Sequence, residues 1–137
     1  MKSHFEISDE EFEEQFADCI LEPSLFTHEA HLRLAYIHIK KYGQVMAVEN
    51  ICTQIKIFDN CFGDGTKFHM TVTIAAVRMI NHFMNKQKGL SFEELIATYP
   101  RLVHSFKELI RQHYSFNVFT DGEAKKKYLQ PDLRPFN

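Results

Sequence analysis

Tryptophan is absent from this chain of 137 residues, glycine occurs only five times and proline four times. Few glycines mean few tight turns. The three cysteines, Cys19, Cys52 and Cys61, form no CxxC pair and are odd in number. That argues against a disulfide framework or a thiolate zinc site, and a reducing cytoplasm is the expected setting. Charge of one sign is lacking too: sixteen Lys and Arg face eighteen Asp and Glu, a formal net charge of −2. No overall basic field exists to hold nucleic acid or an anionic membrane. No apolar run approaches ~20 residues, and the opening MKSHFEISDEEFEE turns acidic where a signal peptide needs an apolar stretch. Neither export nor membrane spanning is therefore expected.

What is present is a globular composition, 45% hydrophobic and 25% charged, with eight His and thirteen Phe. At ~100–200 residues per domain, a single domain over 1–137 is expected. Ser8 and Glu11 have capping-box spacing, and Phe12, Phe16, Cys19 and Ile20 follow at helical intervals, predicting a first helix over about residues 9–21. Pro23 ends it. Thr27 is the expected N-cap of a second helix, HEAHLRLAYIHIKKY, stopping at Gly43. Val45, Val48, Ile51, Cys52, Ile55 and Phe58 mark a third, closed by the turn-rich segment 60–65. A fourth is expected over about residues 67–88. Ser91 with Glu94 opens a short fifth helix, and after Pro100 the pattern resumes through Leu102, Phe106, Leu109 and Ile110 as a longer sixth. Thr120 and Glu123 could cap a last turn before LQPDLRPFN, whose prolines predict an extended tail. No strand-like alternation competes, so the fold class is all-α, a four-helix-bundle-like domain with short additional helices.

Taking Arg33 and Lys40 as the wet side of the second helix, ~100° per residue puts His31 and His38 roughly 160° and 140° from Arg33, with His28 roughly 140° away in the other sense. All three are expected to face the core. In the fourth helix, Lys67, Arg78 and Asn85 define the wet face, and His69 falls roughly 180° from Arg78. His4, His82 and His104 read as solvated, and Glu29 as a helix-dipole partner. His28, His31 and His69 lie near helix N-termini, where the dipole and burial both favour neutral imidazole, the form a metal binds. An i, i+3 pair with a third imidazole from a parallel helix matches an open metal site for zinc, iron, nickel or copper. Two alternatives stay open: a polar ligand pocket without metal, and structural histidines bonded to one another, to carbonyls or to Tyr36, Tyr42 and Thr73. His38 is expected in the core or behind the pair.

At FTHEAHLRLAYIHI and FHMTVT the chain resembles a family of short bacterial proteins, mostly without an assigned activity, that carry an FTHxxHLRxA block followed by a (Y/F)HxTxT block. The resemblance extends over most of the chain and includes the closing PDLRP. It implies a shared site around Phe26, Thr27, His28, His31, Leu32 and Arg33, then Phe68, His69, Thr71 and Thr73. Phe68 stands where the family often has Tyr. The resemblance names no substrate.

Other patterns carry less. FDNCFGDGTKF lacks oxygen ligands where a calcium loop needs them, because Cys61 and Gly63 occupy two of those positions. Cys19 and Cys52 read as buried thiols, and Lys125, Lys126 and Lys127 as a solvated face. Arg134, with Leu133 and Phe136 as anchors, could fold back and offer a guanidinium to an anion, or form a surface salt bridge. Two functions are thus expected in competition. One is a metal-dependent protein using His28, His31 and His69, acting on a small molecule. The other is a non-catalytic small-ligand or protein-interaction module with Tyr36, Thr73 and Arg134 as ligand contacts. The many phenylalanines leave apolar surface for a homodimer.

Overall fold

Side-chain oxygens begin the helices where the sequence places them. In the computed structural model, which describes residues 3–136, Ser8 accepts the Glu11 N–H at 3.2 Å and opens α1, Asp9–Ala17. Thr27 accepts from Ala30 N–H at 3.2 Å and opens α2, His28–Tyr42. Gly43 then serves as the end of α2 and the start of α3, Gln44–Phe62. A one-residue link needs a left-handed backbone, here φ 85°, which glycine adopts without a Cβ penalty. All described residues are helical or irregular, with no strand among them, so the all-α fold class stands.

The described chain divides into two compact units, Met1–Phe68 and His69–Asn137. In the first, α1, α2 and α3 pack on one another. Phe12 and Phe16, one turn apart on α1, are almost wholly buried, each contributing about 2 to 3 kcal/mol of transfer free energy. Phe16 sits 4.5 Å from Phe26 and 4.8 Å from Phe58 between ring centroids, and Phe58 lies 4.9 Å from Phe62. Helix α1 is shorter than expected. Cys19 takes φ 59°, and the N–H groups of Ile20 and Leu21 both return to the Gln15 carbonyl, so the chain leaves the helix before residue 21. Helix α3, in contrast, runs through half of the segment expected to be a turn. Asp59 explains the stop: its buried Oδ2 accepts the N–H groups of Lys67 and Phe68 at 2.9 and 3.0 Å, folding the chain back after Gly63.

The second unit is built on α4, Met70–Lys86, with α5, Phe92–Thr98, α6, Arg101–His104, α7, Phe106–Arg111 and α8, Gly122–Lys126. The Ser91 and Glu94 capping box forms in both directions. The single sixth helix expected from the pattern is two helices, because Ser105 at φ −139° leaves helical geometry between them. Asp121, rather than Thr120, caps α8 by accepting the Ala124 N–H at 2.9 Å. The tail is irregular but tied down. Leu133 N–H donates to the His113 carbonyl at 3.0 Å, Tyr114 O–H to the Leu129 carbonyl at 2.8 Å, and Ser115 O–H to Asp132. Phe136 is buried beside His113, whereas Leu133, expected to be an anchor, is 59% exposed. No helix among the described residues is long and apolar enough to cross a membrane.

Candidate functional site

Helix α2 is buried at every position from Leu32 to Ile39, so it has no wet side there for an angular argument to start from. Arg33, taken as exposed, is 5% exposed. Its Nη1 donates to the His4 carbonyl at 2.6 Å, its Nη2 to the Ile7 carbonyl at 3.0 Å and Asp9 Oδ1 at 2.8 Å, and its Nε to the same Asp9 oxygen at 3.0 Å. The Phe12 ring lies under the guanidinium at 4.9 Å. His4, expected in solvent, is 2% exposed and bonded through Nε2 to Glu29 at 2.8 Å. The leading segment thus covers the start of α2, and the inferred directions of the histidines shift accordingly.

His28 is exposed, not inward. His31 is half-buried, but its Nε2 is buried and has no hydrogen-bond partner among the described residues. Burial, with His28 nearby, pushes its pKa down to about 4. His38 lies in the core at 1% exposure, accepts from Asn50 at 3.4 Å through Nδ1, and leaves Nε2 without a partner. Burial lowers its pKa as well.

In the other unit, His69 is the N-cap of α4 rather than a first-turn residue. Its Nδ1 accepts the Val72 N–H at 3.1 Å, which fixes Nε2–H to donate to the Val118 carbonyl at 3.0 Å. Both ring nitrogens are committed. Burial lowers its pKa, favouring the neutral ring that this pair of bonds requires. Among the described residues, no group of three or more His, Cys, Asp or Glu side chains is placed to hold a metal ion.

Of the expected ligand contacts, Tyr36 and Thr73 are buried, Tyr36 in α2 and Thr73 in α4. Arg134 lines an open cavity of about 600 Å³ lying wholly within the second unit. Its walls are contributed by the C-terminal half of α4, the α5 to α6 junction, α7 and the tail. Lys86, Arg101 and Arg134 supply three cations, His82, His113 and Gln112 supply further polar groups, and Phe83, Tyr99 and Phe136 supply aromatic surface. Among the described residues no carboxylate lines it, and none of the described acidic groups pairs with these three cations. His82 titrates below its ordinary range, first through burial and then through the positive fields of Lys86 and His113. His113 donates from Nδ1 to the Arg134 carbonyl at 2.9 Å, tying the tail to the cavity wall.

Sequence reasoning found Arg134 but missed Lys86, Arg101, His82 and His113. No spacing rule links residues scattered from α4 to the tail. The available signal was the absence of Asp and Glu from those short stretches. Comparison with known proteins yields no match to a family model, a curated protein or a solved structure.

Proposed function

We propose that the chain is a small-molecule-binding protein whose cavity in the second unit takes an anion carrying an apolar or aromatic group. The carrying observation is the cavity's charge: three cations and two imidazoles around about 600 Å³, with no acidic residue among the described residues of the wall. Binding sites for small molecules typically occupy ~300–1,000 Å³ and combine apolar walls with a few polar groups. Cations that face one cavity make its potential positive, and an anion is favoured there. Arginine at two of the positions favours a planar or tetrahedral oxyanion, carboxylate or phosphate, held by more than one N–H. Phe83, Tyr99 and Phe136 then supply a surface for the rest of the ligand. A cytoplasmic setting accompanies this reading, supported by three thiols outside any CxxC pair.

Calorimetric titration with phenyl phosphate, inorganic phosphate and phenol tests it. Phenyl phosphate should bind most tightly, and more weakly as salt is raised. Replacing Arg101 and Arg134 with Gln should weaken it by ~10-fold or more per charge-assisted contact. No binding at millimolar ligand, or equal binding by the double variant, would overturn the proposal.

A second reading is a metal held by His28, His31 and His69. The buried, unpartnered Nε2 of His31 supports it. It requires His69 to surrender either the Val72 or the Val118 bond. Metal analysis of untagged protein against the His31→Ala variant separates the readings: substoichiometric metal in both, under zinc, iron, nickel and copper supplementation, removes it.

A further inference from the structure

The first unit holds a pair of thiols that neither the cavity nor the histidines use. Cys19 follows the end of α1 in the left-handed region, φ 59°, uncommon for a residue with a Cβ. That turn sets its thiol against the last part of α3, where Sγ donates to the Ile57 carbonyl at 3.8 Å. Cys61 lies one helical turn beyond Ile57 on the same helix, so the Cys19 thiol at the Ile57 carbonyl is set beside the Cys61 position. Cys61 is exposed, and Cys19 and Cys52, both expected to be buried, are each partly exposed, Cys52 on another part of α3.

We propose that Cys19 and Cys61 are a peroxide-sensitive thiol pair that closes to an intrachain disulfide, joining the end of α1 to the end of α3. The proposal is independent of the cavity's ligand. Exposed Cys61, as thiolate, attacks a peroxide oxygen. The O–O bond breaks, water leaves after protonation, and Cys61 becomes a sulfenic acid. Cys19 then attacks that sulfur and loses its proton, the S–O bond breaks, and a second water leaves. Two thiols and one hydrogen peroxide thus give one disulfide and two waters. The roles follow from the surroundings. Burial and the Cys61 thiol beside it hold the Cys19 pKa up at about 11, so Cys19 is the poor first nucleophile and acts second, on the neighbouring sulfur. Burial likewise holds Cys52 at about 11 and leaves it unreactive. The link would close a loop of roughly 40 residues next to the Phe16, Phe58 and Phe62 cluster, and chain-entropy reasoning for a bridge of that span corresponds to a rise in melting temperature of ~10 °C.

The test is intact-mass spectrometry of the full, pre-reduced chain after stoichiometric hydrogen peroxide, with thiol alkylation in denaturant, where Cys52 is accessible, before and after reductant. The expected result is a monomer lighter by two hydrogens, with Cys52 alone alkylated and the original mass restored by reductant. Cys52→Ser should behave like the parent, and Cys19→Ser should stop at oxygen addition on Cys61. Three alkylatable thiols after treatment, oxygen addition without hydrogen loss, or a dimer bridged through Cys61 would each overturn the proposal. Mapping of the bridge to Cys52 would do the same.

Discussion

Arg33 donates from both Nε and Nη2 to one oxygen of Asp9, at 3.0 and 2.8 Å, and that shared oxygen hides how unequal the two residues are. The Arg33 side chain is 6% exposed and that of Asp9 63%. The remaining guanidinium donors go to His4, at its carbonyl and its Nδ1, and to the Ile7 carbonyl; the His4 carbonyl also accepts a longer bond from the Ile7 N–H at 3.4 Å. Removing Asp9 leaves a buried guanidinium without its carboxylate, relieved only where the exposed Asp9 position opens to water, so Asp9→Ala should cost about 1 to 2 kcal/mol. Removing the guanidinium leaves the Ile7 carbonyl without its donor and the His4 carbonyl with only the longer Ile7 N–H bond, and it empties the space over Phe12, so Arg33→Ala should cost about 3 kcal/mol. Arg33→Lys should rescue little, because one ammonium cannot span acceptors that a planar fork reaches at once. Urea unfolding of the three variants checks the order.

The helix starts were legible because caps are local chemistry: Ser8, Thr27 and Ser91 each accept from the N–H three residues on. Gly43 was legible for the same reason. The interior directions were not, since a buried Arg33 looks in sequence like a solvent marker, and only the return of residues 4–9 over α2 satisfies it. Helix ends failed where distant groups decide them, as when Asp59 draws in the N–H groups of Lys67 and Phe68. Motif residues that read as a site are partly tethers: Thr27 and His69 cap helices, and Arg33 holds the leading segment. The cavity was illegible apart from Arg134.

Asp59 gives a second expectation. Asp59→Ala leaves the Lys67 and Phe68 N–H groups without their acceptor, at a cost of about 2 to 3 kcal/mol. Gly63→Ala should also destabilise, since a Cβ there would stand 2.9 Å from the Asp59 carbonyl oxygen and 2.7 Å from its Oδ1. Shortening the Asp59 side chain relieves only the latter clash. The double variant should therefore remain less stable than Asp59→Ala alone in the same unfolding assay.

His31 should make stability fall in mild acid. Its folded pKa of about 4 lies below the ordinary 6.5. Between those values the unfolded chain binds a proton that the folded chain refuses, so stability drops as pH falls through the window, by ~1.4 kcal/mol per unit. The full effect approaches ~3 kcal/mol near pH 4 and vanishes above the unfolded value. Glutamine does not titrate. His31→Gln should therefore show a shallower decline than the parent from pH 7 to pH 4.5, with His38, His69 and His82 supplying what slope remains; parallel curves would mean that the ring is not held neutral.

Thr71 connects the tether role of the motif to the cavity. Fully buried in the first turn of α4, it donates from Oγ1 to the Lys127 carbonyl at 2.7 Å and accepts the Leu129 N–H at 3.0 Å. Those two bonds anchor the tail where it leaves α8, upstream of Arg134 at the cavity wall. Valine keeps the shape and supplies neither bond, so Thr71→Val should cost about 2 kcal/mol. The loss should be local before it is global. Hydrogen exchange at Leu129 should accelerate by ~30-fold, the equivalent of that energy, while the buried amides of α2 slow or quicken only with overall stability. Phenyl phosphate affinity should fall in the same variant although no lining residue has changed, because a looser tail presents Arg134 less often. Unchanged exchange at Leu129 would show that the tail is held by its Tyr114, Ser115 and His113 bonds alone, and unchanged affinity would show that Arg134 does not carry the ligand.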